Sequence, residues 1–324
     1  MIRKTLLTFI CLAVVGISQV YADQYPSKVI NIVVPFSAGG PTDTVARLLG
    51  QAMSSTLKAQ IIIENVAGAG GTLGAARVAK AAPDGYTLFL HHIGQSTAPA
   101  LYRKLPYDAL NDFAPIGLIN EVPMTLVAKK DFPASNLKEL ISYVKANKQK
   151  VNYANAGLGA ASHLCGMLFM SAIQTDLTTI PYKGTGPAMN DLLGGQVDFM
   201  CDQTTNTTSQ IKAGKIKVYG VTTKKRVASL PDIPTMHEAG LPNFEVSVWH
   251  GLYAPKGTPK DIVDKLSKAM QEALKDKNLI QRFAELGTEP VAQNRATPAA
   301  LHSHLKAEIE KWGPIIKKAG IYAD

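Results

Sequence analysis

The stretch Val29-Ile30-Asn31-Ile32-Val33-Val34-Pro35-Phe36-Ser37-Ala38-Gly39-Gly40-Pro41-Thr42-Asp43 decides the fold. Its first half is rich in β-branched residues and reads as a buried strand. Gly39 and Gly40 then break the strand, and Pro41 stands where a helix starts, because the first helical residue has no use for its N–H. The outcome is strand, glycine turn, helix, with free backbone N–H groups and the positive end of the helix dipole aimed beyond the strand. The junction recurs. Ile61-Ile62-Ile63-Glu64-Asn65 leads to Ala67-Gly68-Ala69-Gly70-Gly71-Thr72. Asn152-Tyr153-Ala154-Asn155 leads to Ala156-Gly157-Leu158-Gly159-Ala160-Ala161-Ser162. Ile180-Pro181-Tyr182 leads to Lys183-Gly184-Thr185-Gly186-Pro187. Helix starts of this kind attract anions. Two of them lie early in the chain and two in its middle, so a cleft between two lobes is lined from both sides.

Outward from these junctions, strands alternate with helices, the pattern of an α/β fold. Strands are expected at Val29–Pro35, Ile61–Asn65, Thr87–His91, Thr125–Ala128, Val151–Ala154, Thr178–Tyr182, Val197–Cys201, Val218–Thr222 and Val246–Ala254. Ser135, Thr258 and Thr297 read as helix N-caps, the last two before a proline. Gly287 and Gly320 read as helix C-termini. No single linker divides the chain. Two extended stretches, Ile119–Ala128 and Glu245–Ala254, serve as crossovers instead. This gives lobe 1 as residues 23–123 plus 250–324 and lobe 2 as residues 124–249, joined by a two-strand hinge suited to closing on a ligand.

The N-terminus reads as a cleavable secretory leader over residues 1–22. Arg3 and Lys4 are its basic region, Leu6 to Ile17 its apolar run, and Val20-Tyr21-Ala22 its cleavage site. Losing Arg3 and Lys4 lowers the formal charge from +9 to +7. That excess suits anionic ligands or an anionic membrane surface. The basic residues are dispersed and the chain is exported, which argues against nucleic acid. Of the three cysteines, Cys165 and Cys201 lie beyond the leader. They read equally as a disulfide of an oxidising compartment or as two buried thiols.

The constellations of catalysis are missing. Gly68-x-Gly70 has Leu73 where a dinucleotide loop needs a third glycine, and no P-loop lysine follows any glycine turn. Gly94-Gln95-Ser96-Thr97-Ala98 lacks the last glycine of a nucleophile elbow. An exported hydrolase using Ser96 with His91 or His92 is therefore the weaker reading. His91 and His92 are adjacent on a strand and point to opposite faces, so they cannot readily share a metal. His302-Ser303-His304 with Glu308 reads as a solvated helix face. No cofactor or metal is expected. Asp43, one turn into its helix, reads as a capping acid or as a group that orders the glycine loop.

Several motifs together carry a resemblance. They are Pro35-Phe36-Ser37-Ala38-Gly39-Gly40-Pro41-Thr42-Asp43-Thr44-Val45-Ala46-Arg47, Asn65-Val66-Ala67-Gly68-Ala69-Gly70-Gly71, Pro83-Asp84-Gly85-Tyr86-Thr87, Pro181-Tyr182-Lys183-Gly184, Gly194-Gly195-Gln196-Val197-Asp198 and Leu230-Pro231-Asp232-Ile233-Pro234-Thr235. In this order they resemble the substrate-binding proteins of tripartite tricarboxylate transporters, the Bug family. The resemblance implies a monomeric periplasmic receptor with a two-lobed, type II-like Venus-flytrap fold and two crossover strands. It implies a carboxylate ligand held by backbone amides, and delivery to the inner-membrane permease subunits of a tripartite transporter. A ligand sensor working with a histidine kinase is the alternative output. Contacts are expected from Phe36, Ser37, Ala38, Gly39, Gly40, Asp43, Ala69, Gly70 and Gly71 in lobe 1. Asn155, Gly159, Ala160, Ser162, His163, Lys183, Gly184 and Thr185 answer from lobe 2. His91, Gln95, Ser96, Asp202 and Gln203 belong to the wall that discriminates between ligands. This wall is polar, and with anion loops in both lobes it favours a dicarboxylate, an aromatic one included.

Overall fold

In the computed structural model, residues 25–320 together with 322 and 323 are described, so the expected leader lies outside the described residues. The chain runs β1 (Ile30–Val34), α1 (Pro41–Leu57), β2 (Ile61–Asn65), a single 3-10 turn (Ala69–Gly71), α2 (Thr72–Ala79), β3 (Thr87–His92), α3 (Gly94–Leu101) and β4 (Phe113–Lys129). It continues with α4 (Leu137–Ala146), β5 (Asn152–Asn155), α5 (Ala161–Ile173), β6 (Thr178–Pro181), α6 (Thr185–Leu193), β7 (Phe199–Gln203), α7 (Thr204–Lys212) and β8 (Ile216–Val221). The last part is β9 (Ser247–Pro255), α8 (Lys260–Ala273), α9 (Lys277–Glu285), β10 (Glu289–Pro290) and α10 (Pro298–Ala319).

The strands form one path, β2-β1-β3-β9-β4-β7-β5-β6, with β8 and β10 also on β4. β4 is the organising strand. Its first part, Phe113–Pro123, pairs antiparallel with β9, and its second part, Met124–Lys129, pairs antiparallel with β7 and β8. On one side of that change of partner, β1 is flanked in parallel by β2 and β3. On the other, β5 is flanked in parallel by β6 and β7. The fold is thus a two-lobed α/β periplasmic-binding-protein fold. The strand-to-helix junctions of the parallel strands face one another across the cleft, where the open ends of such sheets bind ligands.

The return passage from lobe 2 to lobe 1 is fastened at the same level. The Thr222 hydroxyl lies 2.6 Å from the Val246 carbonyl, the Val246 N–H donates back to the Thr222 carbonyl, and the Met124 N–H donates to the Thr222 hydroxyl at 3.1 Å. β9 then begins at Ser247 opposite Pro123.

β4 is much longer than Thr125–Ala128. Pro115 and Gly117 read as breakers, but the ladder shifts register around Pro115/Gly117 and again around Leu118/Asn120, so irregular pairing accommodates them, while Pro123 pairs with Ser247 at the end of the ladder. Two caps also differ from expectation. Asn136, not Ser135, accepts from the Glu139 N–H, while Glu139 reaches back to the Ser135 N–H. Thr258 turns its hydroxyl to the Pro255 carbonyl, and α8 starts after Pro259 with no side-chain cap. Thr297 caps α10 as expected. Cys165 and Cys201 are joined in a disulfide, with Cα atoms 6.1 Å apart, which ties the first turns of α5 to β7.

α1 shows how the core fixes these junctions. Val45, Leu49, Met53 and Leu57 recur every fourth residue and are buried, with Ala46 and Gly50 beside them. This apolar stripe seats the helix on the sheet. Fully burying one such side chain contributes about 1.5–3 kcal/mol, enough to hold the helix start in place without a capping side chain.

Candidate ligand-binding site

A small cavity of about 20 Å³ lies between the lobes, lined by Phe36, Gly40, Pro41, Thr42, His92, Ala156, Ala161, Ser162, Thr185, Asp202 and Gln203. It is where the starts of α1, α5, α6 and α7 converge. Their N-caps are Gly40, Ala160, Gly184 and Gln203, and none supplies a side-chain cap. Away from the cleft, Asn136, Asp276 and Thr297 cap α4, α9 and α10 by accepting the N–H three residues on. The sequence therefore leaves its first-turn donors free where the helices point at the cavity, and free donors at a positive dipole end attract an anion.

Side chains repeat the pattern. Asn155 Nδ2, Thr185 Oγ1, Gln203 Oε1 and Thr205 Oγ1 are buried and have no hydrogen-bond partner. Buried polar atoms are nearly always paired, so this group is suited to pairing with a ligand or water. The Asn155 orientation is fixed, since its Oδ1 accepts from the Gly157 N–H at 2.9 Å. Among the described residues, no lysine or arginine lines the cavity. His92 accepts from the Gly94 N–H through Nδ1 at 2.9 Å, which leaves its proton on Nε2. Burial lowers its pKa to about 3, so it is a neutral donor. Phe36 stacks on it, with ring centroids 4.6 Å apart.

Among the described residues, Asp202 is the one carboxylate at the cavity, and it is fully buried. Asn206 Nδ2 donates to its Oδ2 at 2.5 Å and the Gln203 N–H to its Oδ1 at 2.8 Å. Burial raises its pKa to about 6, against the opposing pull of Asn206, the Gln203 N–H and the nearby Thr185 hydroxyl. The Thr185 hydroxyl is near enough to act on Asp202, yet makes no hydrogen bond of ordinary geometry.

The lobes meet in a backbone seam around the cavity. The Ser37 N–H and hydroxyl both donate to the Lys183 carbonyl, at 2.9 and 3.0 Å. Thr97 Oγ1 donates to the Gly159 carbonyl at 3.0 Å, and the Tyr102 hydroxyl is 2.7 Å from the Ala69 carbonyl and 3.3 Å from that of Leu158. Close approach needs glycine. A Cβ on Gly70 would stand 1.9 Å from the Leu158 carbonyl oxygen, and one on Gly186 would stand 3.1 Å from the Gly40 nitrogen. The structure is thus a closed form.

Of the residues singled out from the sequence, Phe36, Gly40, Ser162, Thr185, Asp202 and Gln203 line the cavity. Ser37, Gly70, Lys183 and Gly184 belong to the seam instead, Lys183 through its carbonyl while its side chain is exposed. Ala38, Gly39, Ala69, Gly71, Gly159 and Ala160 complete the turns, and His163 accepts the Gly159 N–H through Nδ1 at 3.2 Å. Three residues have partners in their own lobe. Gln95 donates to the Ala109 carbonyl, Ser96 to that of Ile93, and Asp43 accepts from the Gly39 N–H, Arg47 and Asn65. Burial pushes the Asp43 pKa up, but these three partners together hold it below its usual value. Asp43 orders the glycine loop.

His91 packs against Phe36 and Phe89, and its strand neighbour His92 takes the cavity position. Pro41, Thr42, Ala156 and Ala161 also line the cavity, inside the same strand-to-helix junctions as the expected contacts. Each is within two residues of a glycine in a strand-to-helix junction, which is the signal that marks them. Thr42 additionally lies 3.3 Å from His250 Nε2, and His250 Nδ1 lies 2.9 Å from Asn120 Oδ1. A larger groove of about 530 Å³, lined by Thr223, Arg226, Thr288 and Arg295 among others, opens on the hinge side. An exposed Arg295–Glu121 ion pair of 2.6 Å lies in it, and none of the residues that open α1, α5, α6 or α7 lines it.

Two lobes on a shared hinge, closed over a cavity built from helix starts, define a solute-binding protein of the periplasmic type. Residues 45–321 match the family described as tripartite tricarboxylate transporter family receptor, and the chain belongs to that family. Among solved structures, the periplasmic binding protein BugD is 55% identical, with a TM-score of 0.90 over 92% of this chain and 99% of its own. MatC from Rhodopseudomonas palustris, with bound malate, is 43% identical, with a TM-score of 0.87 over 90% of this chain and 100% of its own. Another R. palustris protein, with adipate, is 34% identical, with a TM-score of 0.87 over 92% of this chain and 99% of its own. The family consists of binding receptors, and this chain is a receptor, not an enzyme.

Proposed function

We propose that this chain is a periplasmic receptor for a small dicarboxylate, which it passes to the membrane permease of a tripartite transporter. The observation that carries the reading is the convergence of uncapped helix starts from both lobes on a cavity without a cationic side chain. Such a site holds a carboxylate by N–H donors and dipoles. Malate and adipate in two relatives support the same ligand class. The closed cavity of about 20 Å³ has room for one or two water-sized groups. A four-carbon ligand is larger, so it enters with the hinge open and shifts lining side chains such as Gln203 as the seam re-forms. Closure hides the ligand and presents one surface made of both lobes, which is what a permease can read.

The test is a thermal-shift screen of residues 23–324 against mono-, di- and tricarboxylates and their neutral analogues. A ligand that binds only the folded state raises the melting temperature. Dicarboxylates are expected to give the largest shifts. A shift with neutral compounds alone would overturn the reading.

A further inference from the structure

The cavity offers two kinds of polar group, and the proposed dicarboxylate satisfies only one of them. The helix starts and His92 are donors. Asp202 is an acceptor, and within the protein its two oxygens receive one hydrogen bond each, from Asn206 Nδ2 and the Gln203 N–H. A carboxylate has about four lone-pair sites, so acceptor capacity remains at the cavity wall. The groups around Asp202 include Thr125 and Thr207 from β4 and α7, Asn206 from α7, Thr185 from α6 and the Tyr153 hydroxyl from β5. None of them is a cation, and the neighbouring lining residue His92 is neutral. A bare dicarboxylate would set a like charge near Asp202 and leave its spare lone pairs unpaired in a desolvated site.

We propose that Asp202 is a specificity-determining residue, selecting carboxylates that carry a hydrogen-bond donor, a hydroxyl or an ammonium, on the carbon chain beside the bound carboxylate. This inference rests on the carboxylate reading above and narrows it. The bound carboxylate faces the helix starts, and the hydroxyl or ammonium faces Asp202. Sites built around a ligand's O–H or N–H reject analogues that lack it far more strongly than apolar pockets reject a missing methylene.

Isothermal titration of the mature protein with succinate, malate and aspartate compares three four-carbon dicarboxylates that bear no donor, a hydroxyl and an ammonium. At least one of malate and aspartate is expected to bind about 100-fold or more tightly than succinate, and which of the two does so separates hydroxyl from ammonium. Asp202→Asn keeps the side chain's size, and Asn206 can turn its amide to match. This variant should bring the preference to within about 10-fold, chiefly by strengthening succinate. The wild-type comparison stands alone if the variant fails to fold. Equal binding of all three ligands overturns the inference and leaves the carboxylate reading intact. So does an Asp202→Asn variant that folds and keeps the full preference. No binding of any of the three, with a neutral ligand binding instead, overturns both.

Discussion

Replacing Gly70 by alanine should hold the lobes apart. The new methyl group would stand 1.9 Å from the Leu158 carbonyl oxygen, which is backbone of the opposing lobe and cannot turn away. Carbon and carbonyl oxygen settle at about 3.3 Å or more, so this part of the seam must retreat by roughly 1.4 Å. The nearby bonds from Tyr102 to the Leu158 carbonyl and from Thr97 to the Gly159 carbonyl, at 3.3 and 3.0 Å, cannot survive that shift. Each is worth about 0.5–1.5 kcal/mol. Losing both weakens the closed form by about 1–3 kcal/mol, or roughly 5- to 150-fold in affinity. Gly70 also has φ +60°, so alanine adds about 1 kcal/mol of backbone cost to folding itself. Gly195→Ala isolates that second effect, because Gly195 has φ +73° and open space around it. Titration with malate measures affinity, and small-angle scattering with and without malate measures closure. Gly70→Ala should bind weakly and fail to contract, while Gly195→Ala should bind normally and melt slightly earlier. A Gly70→Ala protein that binds and contracts like wild type would refute the role of this seam in the ligand-bound form.

The histidines predict acid lability. Burial lowers the pKa of His92 to about 3 and of His163 to about 4, and it lowers His91 and His250 well below their usual value. Their folded pKa is depressed, so their contribution is complete above about pH 6.5 and is lost as pH falls, by about 1.4 kcal/mol per unit for each group. Asp202, raised to about 6, works in the opposite sense between about pH 4 and 6 and offsets roughly one histidine. Urea unfolding at pH 7.5 and 5.5 should show lower stability at the acid end, and a flat profile would contradict neutral buried imidazoles. Removing the disulfide with Cys165→Ala and Cys201→Ala releases a loop of sequence separation 36 and should cost about 3–4 kcal/mol by calorimetry, with weaker ligand binding because α5 is freed from β7. Asp43→Ala leaves the Gly39 N–H without its acceptor and removes one of the two bonds from Asn65 Nδ2, whose other acceptor is the Phe36 carbonyl, and should lower stability by about 1–3 kcal/mol and loosen ligand binding by relaxing the first glycine turn. Unchanged melting would show that the loop does not depend on it.

The parallel strands were legible because β-branched runs such as Ile61-Ile62-Ile63 stand directly before glycine turns. The junctions around the cavity were legible for a related reason. Gly40, Ala160 and Gly184 are helix N-caps without capping side chains, a choice visible in the sequence itself. The first part of β4 was hidden because Pro115 and Gly117 suggest a loop, and only pairing with β9 makes that segment a strand continuous with the expected crossover from Ile119. The choice between His91 and His92 depends on which face of β3 looks into the cleft, and tertiary packing sets that. Asp202 reads as loop in the sequence, but β7 runs on to Gln203 and α7 follows at once, so Asp202 is buried at the end of a strand. The apolar Met200-Cys201 before it gave no sign of that extension.

The central claim is that backbone donors at helix starts, not a cationic side chain, hold a carboxylate between the lobes. It is tested most directly by titrating the mature protein with malate and with its diamide, which keeps the carbon skeleton and the hydroxyl but removes both charges. Malate should bind and the diamide should bind at least about 100-fold more weakly, since charge-assisted hydrogen bonds are about twice as strong as neutral ones. Equal affinity for the two, or tighter binding of the diamide, would contradict the claim.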